Sequence, residues 1–217
     1  MKKRTLILAS TSPRRRELLQ QAGIQAKILS PETDEIEIPG EKPEKMVLRL
    51  AREKAEAAAL KALTQTAPKA LVREGILLLA ADTTVVAPGQ KGTLGKPRNK
   101  KDAERMLSLL SGQTHTVYTG YCILELQPSG KKDGLLHSHL MGRVVKSKVK
   151  MRALSKKEIQ IYIASGEPMD KAGAYAAQGL GGALIEEIRG SYSNVVGLPV
   201  CQVLQDLEER FGWTWLK

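Results

Sequence analysis

Aromatic residues make up only 4% of this 217-residue chain, with a single Phe and two Trp. Its core must therefore be built from Leu, Ile, Val and Ala, and it lacks the aromatic platform on which single-stranded nucleic acid stacks. Cysteine is scarce too. Cys122 and Cys201 stand far apart, outside any CxxC or zinc spacing, which excludes a disulfide-stapled scaffold. Both lie in apolar patterns and read as buried free thiols of a reducing compartment. The three histidines, His115, His137 and His139, form no ligand set. No apolar run approaches the roughly 20 residues of a transmembrane helix. The start, MKKRTLILA, offers about four apolar residues before Ser10, too few for a secretory h-region. A cytoplasmic protein with no membrane partner is expected.

What is present is a hydrophobic fraction of 42%, a charged fraction of 26% and a net charge of +11. The first two describe a globular chain with a real core. The charge favours anionic partners, but the lysines are spread along the chain, as plain solubility also requires. With no reader motif and no stacking platform, no stable nucleic-acid complex is expected. The length suits one domain over 1–217, built as two lobes sharing a sheet.

The pattern of elements is α/β. Thr5 to Ala9 reads as a buried strand, followed by Ser12 as N-cap, Pro13 at N1 and a helix through Leu19 that Gly23 stops. A second strand is expected over Gln25 to Leu29, then an acidic loop over 32–37, and a helix from Pro43 to about Leu63. Ile76 to Ala81 is a continuous apolar strand ending in Asp82, with Thr83 to Ala87 still extended. A loop is expected over 64–74 and a polar hairpin over 128–134. Asn99 caps a helix over 100–110, strands run over 116–126 and 135–151, and Ser155 with Glu158 forms a capping box. A strand over 183–188 and a helix over 199–211 close the chain. Helices alternate with strands early and antiparallel strands cluster in the middle, which predicts a mixed sheet with flanking helices.

Several residues carry chemistry. A strand running into a helix N-terminus leaves N–H groups that favour an anion, and Ser10 and Ser12 add hydroxyls there. Cations in a first helical turn oppose the dipole unless an anion lies among them. Spacing sets Arg14 and Arg15 one turn before Leu18 and Leu19, on the inward side, and Arg16 toward solvent. On the long helix Lys54 falls on the apolar face with Val47, Leu50, Ala51 and Ala58, where it either snorkels or meets phosphate. Arg52 and Glu56 fall on the solvent side. Asp82, at the end of an apolar strand, suits a metal or a water to be activated. Glu35 is a candidate second carboxylate, although Glu32, Asp34 and Glu37 are equally acidic. Gly95-Lys96-Pro97 is no Walker motif, since a P-loop needs Ser or Thr after the lysine. Lys96 still suits a phosphate. Cations with two carboxylates point to phosphoryl chemistry with a divalent metal, Mg²⁺ or Mn²⁺.

The segments LILASTSPRRRELL, LRLAREKA, AADTTVV, LGKPRNKKDAERMLSLLSGQTHTVYTG, DKAGAYAAQGLGG and GSYSNVVGLP resemble, in order and over nearly the whole chain, the signature blocks of the Maf family of nucleoside triphosphate pyrophosphatases. The resemblance implies a fold similar to that of the inosine triphosphate pyrophosphatases, a long twisted mixed sheet with two lobes around a cleft. It implies metal-dependent hydrolysis of a nucleoside triphosphate to the monophosphate and pyrophosphate. Asp82 matches the family's proton acceptor, and Ser10, Arg14, Arg15, Glu35, Lys54, Lys96 and Gln178 fall on its other functional positions; Ser10, Arg14, Arg15, Lys54 and Lys96 are then expected to bind the phosphates, and Glu35 and Asp82 the metal. Arg14, Thr83 and Gln178 match the branch acting on dTTP and UTP, whereas Trp, Gln and Glu would mark the branch acting on 7-methyl-GTP. The family is also associated with arrest of septum formation, a non-catalytic alternative. A homodimer is the assembly to test for.

Overall fold

The computed structural model describes residues 4–31, 33–36, 38–64, 74–128 and 135–215. Glu32, Glu37, most of the loop expected over 64–74, and residues 129–134 of the basic hairpin lie outside them.

Six strands form one mixed sheet. They are β1 (Thr5–Leu8), β2 (Lys27–Ile28), β3 (Ile76–Val86), β4 (Thr114–Pro128), β5 (Leu135–Met151) and β6 (Ile185–Arg189), in the order β2-β1-β3-β4-β5-β6. β1 runs parallel to β2 and β3, and the rest is antiparallel. The helices are α1 (Pro13–Gln21), α2 (Pro43–Thr64), α3 (Lys100–Leu110), α4 (Lys156–Ala164), the short α5 (Tyr192–Val196) and α6 (Val200–Phe211). This is the α/β mixed sheet that the sequence predicts. Among the described residues no helix is long and apolar enough to cross a membrane.

The central strands are apolar on both faces because both faces are covered. Side chains alternate along a strand. Leu6 and Leu8 of β1, Leu77, Leu79 and Ala81 of β3, and Tyr121 and Ile123 of β4 pack with Leu18, Leu19, Val203 and Leu207 of α1 and α6. Ile7, then Ile76, Leu78 and Ala80, then Cys122 and Leu124 face the other way, onto Ala51, Ala55, Ala58 and Ala59 of α2. The alanine face lets α2 lie close to the sheet. At Gly120 the approach is backbone to backbone, and a Cβ there would stand 2.5 Å from the Val47 carbonyl carbon and oxygen. A third cluster, at the far end of β3 and β4, joins Val85 and Val117 to α3 and α4 through Ala103, Leu107, Ile159 and Ile163.

The local signals hold at most helix ends. Asn99 Oδ1 accepts the Asp102 N–H at 2.9 Å, and Ser155 with Glu158 completes the capping box; such caps contribute about 1 kcal/mol each. Ser12 occupies the N-cap of α1, but its side chain caps nothing. Its N–H instead donates to Ser10 Oγ at 3.2 Å, so the turn is closed by Ser10 and the Ser12 hydroxyl is left for other partners.

Two expectations are corrected. Asp82 does not end a strand, because β3 continues to Val86 with Asp82 in its middle, paired with Gly120. The strand that ends is β1, whose last pair with β3 is Leu8 with Leu79. Threonine and valine after Asp82 keep β3 extended, since β-branched residues suit a strand. Cys201 is exposed rather than buried. It lies in the first turn of α6, where helical periodicity turns it away from Val203 and Leu207. Cys122 is buried as expected, and burial pushes its thiol up to about 12.

Candidate active site

Because β1 stops at Leu8 while β3 runs on, the edge of β3 is open between Leu79 and the bridge of Val85 with Leu94. A cavity of about 600 Å³ lies there. Strand alternation sends consecutive residues of β3 to opposite faces, so Asp82 meets α2 and Thr83 meets α1, and both line the same cavity. All nine residues singled out from the sequence line it: Ser10, Arg14, Arg15, Glu35, Lys54, Asp82, Thr83, Lys96 and Gln178. Arg16, set aside on spacing, is exposed.

Lys54 is 7% exposed and Asp82 8% exposed. The lysine does not snorkel. Its Nζ donates to Asp82 Oδ1 at 2.6 Å and lies 2.6 Å from Glu35 Oε1. Both Glu35 and its neighbour Asp34 are exposed, but only Glu35 reaches Lys54, so the geometry ranks two carboxylates that the sequence could not. Burial pushes the Glu35 carboxyl up, but the Lys54 bond and charge, with Lys96 and Arg15 behind them, hold it below its ordinary value. Lys96 arrives on a loop stitched to β3, where the Leu94 N–H donates to the Val85 carbonyl at 2.7 Å.

The two arginines differ in a way that sequence does not reveal. Arg15 is committed to the protein. Its Nε donates to the Gly197 carbonyl at 2.8 Å, and its terminal nitrogens to Ser10 Oγ and Thr83 Oγ1, each at 3.2 Å. Burial lowers its pKa, against the attraction of Asp82 and Glu35. Thr83 Oγ1 lies 2.9 Å from Thr119 Oγ1, which donates to the Asn194 carbonyl at 3.0 Å. Arg14 instead reaches across the cleft and donates to Asp170 Oδ2 at 3.0 Å and to the Asp170 carbonyl at 3.2 Å. Sequence reasoning missed Asp170, Thr119 and Asn194. Thr119 and Asn194 look like ordinary strand and helix residues, and only the approach of α5 to β4 brings them behind Thr83.

The wall opposite β3 is a strap of short 3₁₀ turns over 167–184. Ala174 there is the one described non-glycine residue with positive φ, at 59°, a conformation that surrounding structure must impose. Next to it, the hydroxyl of Tyr175 lies 2.7 Å from Nε2 of buried His115. Burial lowers the His115 pKa to about 4 from 6.5. The unfolded chain therefore takes up this proton near pH 6.5 and the folded chain only near pH 4. The stability contribution is full above the first value and is lost as pH falls between them. Folding free energy should drop by about 2 kcal/mol from pH 7 to pH 5, above the range in which carboxylates titrate. Urea unfolding of the wild type and of His115→Gln at both pH values checks this. An equal drop in the variant would assign it elsewhere.

Asp82 and Glu35 also suit a divalent cation. Their oxygens converge on one positively charged point, the Lys54 ammonium. No group of three His, Cys, Asp or Glu side chains gathers among the described residues. Two hard carboxylates suffice for Mg²⁺, which is commonly completed by substrate phosphate and water.

Comparison with known proteins extends the geometry. The family described as Maf-like protein matches residues 5–210. A dTTP/UTP pyrophosphatase from Anaeromyxobacter dehalogenans strain 2CP-1 is 47% identical over 197 residues, 91% of this chain and 89% of the relative. One from Geobacter sulfurreducens is 44% identical over 212 residues, 98% and 99% of the two chains. Among solved structures, the Staphylococcus aureus Ham1 protein shows a slight likeness, with a TM-score of 0.37 and 14% identity over 84% of this chain and 80% of that one.

Proposed function

The chain belongs to the Maf family, and on that footing we propose that it hydrolyses dTTP and UTP to the monophosphate and pyrophosphate, in the cytoplasm and with a divalent metal. The observation that carries this reading is the buried Lys54–Asp82 pair at 2.6 Å, opening onto a cleft that also holds Ser10, Arg14, Arg15, Glu35 and Lys96. The names of relatives that match along almost their whole length support the same substrate class.

In this reading the triphosphate enters along the α1 turn. Ser10 and the free N–H groups at the start of α1 receive phosphate oxygens. Arg14, Lys54 and Lys96 add positive charge, and Arg15 fixes the turn by holding Ser10, Thr83 and Gly197 together. A divalent cation held by Glu35 and Asp82 would offset phosphate charge and orient the phosphate oxygens. Water attacks the α-phosphorus in line, forming a P–O bond as the bond to the bridging oxygen breaks. Asp82 accepts the proton of that water. Pyrophosphate leaves with its charge stabilised by Arg14, Lys54 and Lys96. The Gln178 amide, at the cleft wall, has the donor and acceptor needed to read the O4/N3 edge of uracil or thymine.

A panel of canonical and modified triphosphates, assayed for pyrophosphate with Mg²⁺ or Mn²⁺ present, tests the proposal. UTP and dTTP should be the best substrates. Release of orthophosphate in place of pyrophosphate, or a preference for 7-methyl-GTP, would overturn it.

A further inference from the structure

We infer that Glu167 is the positioning residue for base selection, clamping the loop that presents Gln178; the inference rests on the reading of the cleft given above. Glu167 opens the four-residue 3₁₀ turn Glu167–Asp170. It lines no part of the cavity, yet its carboxylate gathers both flanks of Gln178. Oε2 accepts the Leu180 N–H at 3.0 Å, and Oε1 accepts the Gly181 N–H at 2.9 Å and the Tyr162 hydroxyl at 2.9 Å. The Tyr162 oxygen in turn accepts the Ala176 N–H at 3.1 Å. The backbone two residues before Gln178 and two and three residues after it thus ends on one carboxylate, directly or through one phenol.

The fit is close. A Cβ at Gly179 would stand 2.6 Å from Glu167 Oε2, and one at Gly181 would stand 2.5 Å from the Tyr162 oxygen and 2.4 Å from the Ala176 carbonyl. Gly179 and Gly181 are thus the positions where the loop approaches this clamp too closely for a side chain. Gln178 itself has extended backbone, and its side chain caps nothing, which leaves its amide for the cleft. Burial pushes the Glu167 carboxyl up, but the Gly181 N–H, the Tyr162 hydroxyl, the Leu180 N–H and the Lys171 charge outweigh it. Glu167 is therefore an ionised acceptor, able to serve three donors at once. The same turn ends in Asp170, which holds Arg14. One short turn sets Arg14 and the loop of Gln178, two of the three positions at which the chain resembles the branch acting on dTTP and UTP.

Glu167→Gln keeps the shape but turns one acceptor oxygen into a donor facing N–H groups. Two readouts are needed. Hydrogen exchange should quicken at Ala176, Leu180 and Gly181 while the β3 and β4 amides stay protected. The ratio of kcat/KM on UTP to that on CTP, which differ at the edge facing Gln178, should fall about tenfold, the scale of one lost neutral hydrogen bond. Most of the change should lie in KM for UTP. Tyr162→Phe should move both readouts the same way, by less. A parallel loss on UTP and CTP would mark Glu167 as merely structural and overturn the inference, as would faster loop exchange with the ratio unchanged. If the wild type released pyrophosphate from neither nucleotide, the pyrophosphatase reading would fail by itself. Calorimetric binding of UTP and CTP would then decide the clamp, with equal discrimination by wild type and variant counting against it.

Discussion

Asp82→Asn should lower turnover on UTP by about 10²–10⁴-fold, the range of a lost general base, while changing nucleotide affinity far less. The substitution keeps the size of the side chain and an oxygen for the Lys54 ammonium, 2.6 Å away in the wild type. What it removes is the ability to hold a proton. Lys54 keeps its second partner, Glu35, so the buried ammonium is not left without an opposing charge, a situation that costs several kcal/mol when it arises. Binding energy from Ser10, Arg14 and Lys96 is untouched. Steady-state turnover and equilibrium binding of UTP, measured on the same preparation, separate the two effects. Wild-type turnover in the variant would remove Asp82 from the chemistry. A loss of affinity as large as the loss of turnover would make it a binding residue.

The other large effect is expected at a residue with no side chain. Gly120→Val should destabilise the fold by more than about 3 kcal/mol, beyond the usual range for overpacking, and lower activity with it. Gly120 is the cross-strand partner of Asp82. The carbonyl of Val47 and the nitrogen of Leu48 lie 2.5 Å and 2.7 Å from where its Cβ would be. Helix backbone cannot rotate away as a side chain can, so α2 would have to lift from β4. Lys54 lies about two helical turns further along α2, and lifting the helix would draw its ammonium from Asp82. Gly142→Ala makes a useful contrast. There the nearest atom, at 2.7 Å, is the end of the Leu48 side chain, which can adopt another rotamer. Urea midpoints should place Gly142→Ala near the wild type and Gly120→Val far below it. Comparable midpoints would show that α2 yields more easily than a backbone contact should.

These two residues show how differently parts of the site could be read. Asp82 was visible because a carboxylate after six apolar residues is costly to bury without a role. Gly120 gave no signal, being one glycine inside an alternating strand. Its meaning depends on a helix that begins 77 positions earlier, at Pro43. Lys54 was visible as a cation on an apolar face, and the structure settled the two readings of it by giving it Asp82 and Glu35. Arg14 and Arg15 looked alike from spacing. One proved to be a strut between Ser10, Thr83 and Gly197, and the other a reach across the cleft to Asp170. The acidic loop could not be ranked, because which carboxylate meets Lys54 depends on how the loop folds over α2. Cys201 was misjudged because an apolar neighbourhood in sequence does not say which side of a helix faces the core.

Local patterning by itself determined the elements, most of their caps, the mixed character of the sheet, and the inward set at the start of α1. These follow from side-chain periodicity and from hydrogen bonds a few residues long, both of which are written in neighbouring positions. Only the tertiary structure decided that β3 outruns β1 and so opens the cleft, that Glu35 joins Asp82 on Lys54, and that Glu167 holds the loop around Gln178. Each of these is a meeting of segments far apart in the chain. Its geometry is set by packing, by the close approach that glycine and alanine permit, and by where a buried polar group finds its partner.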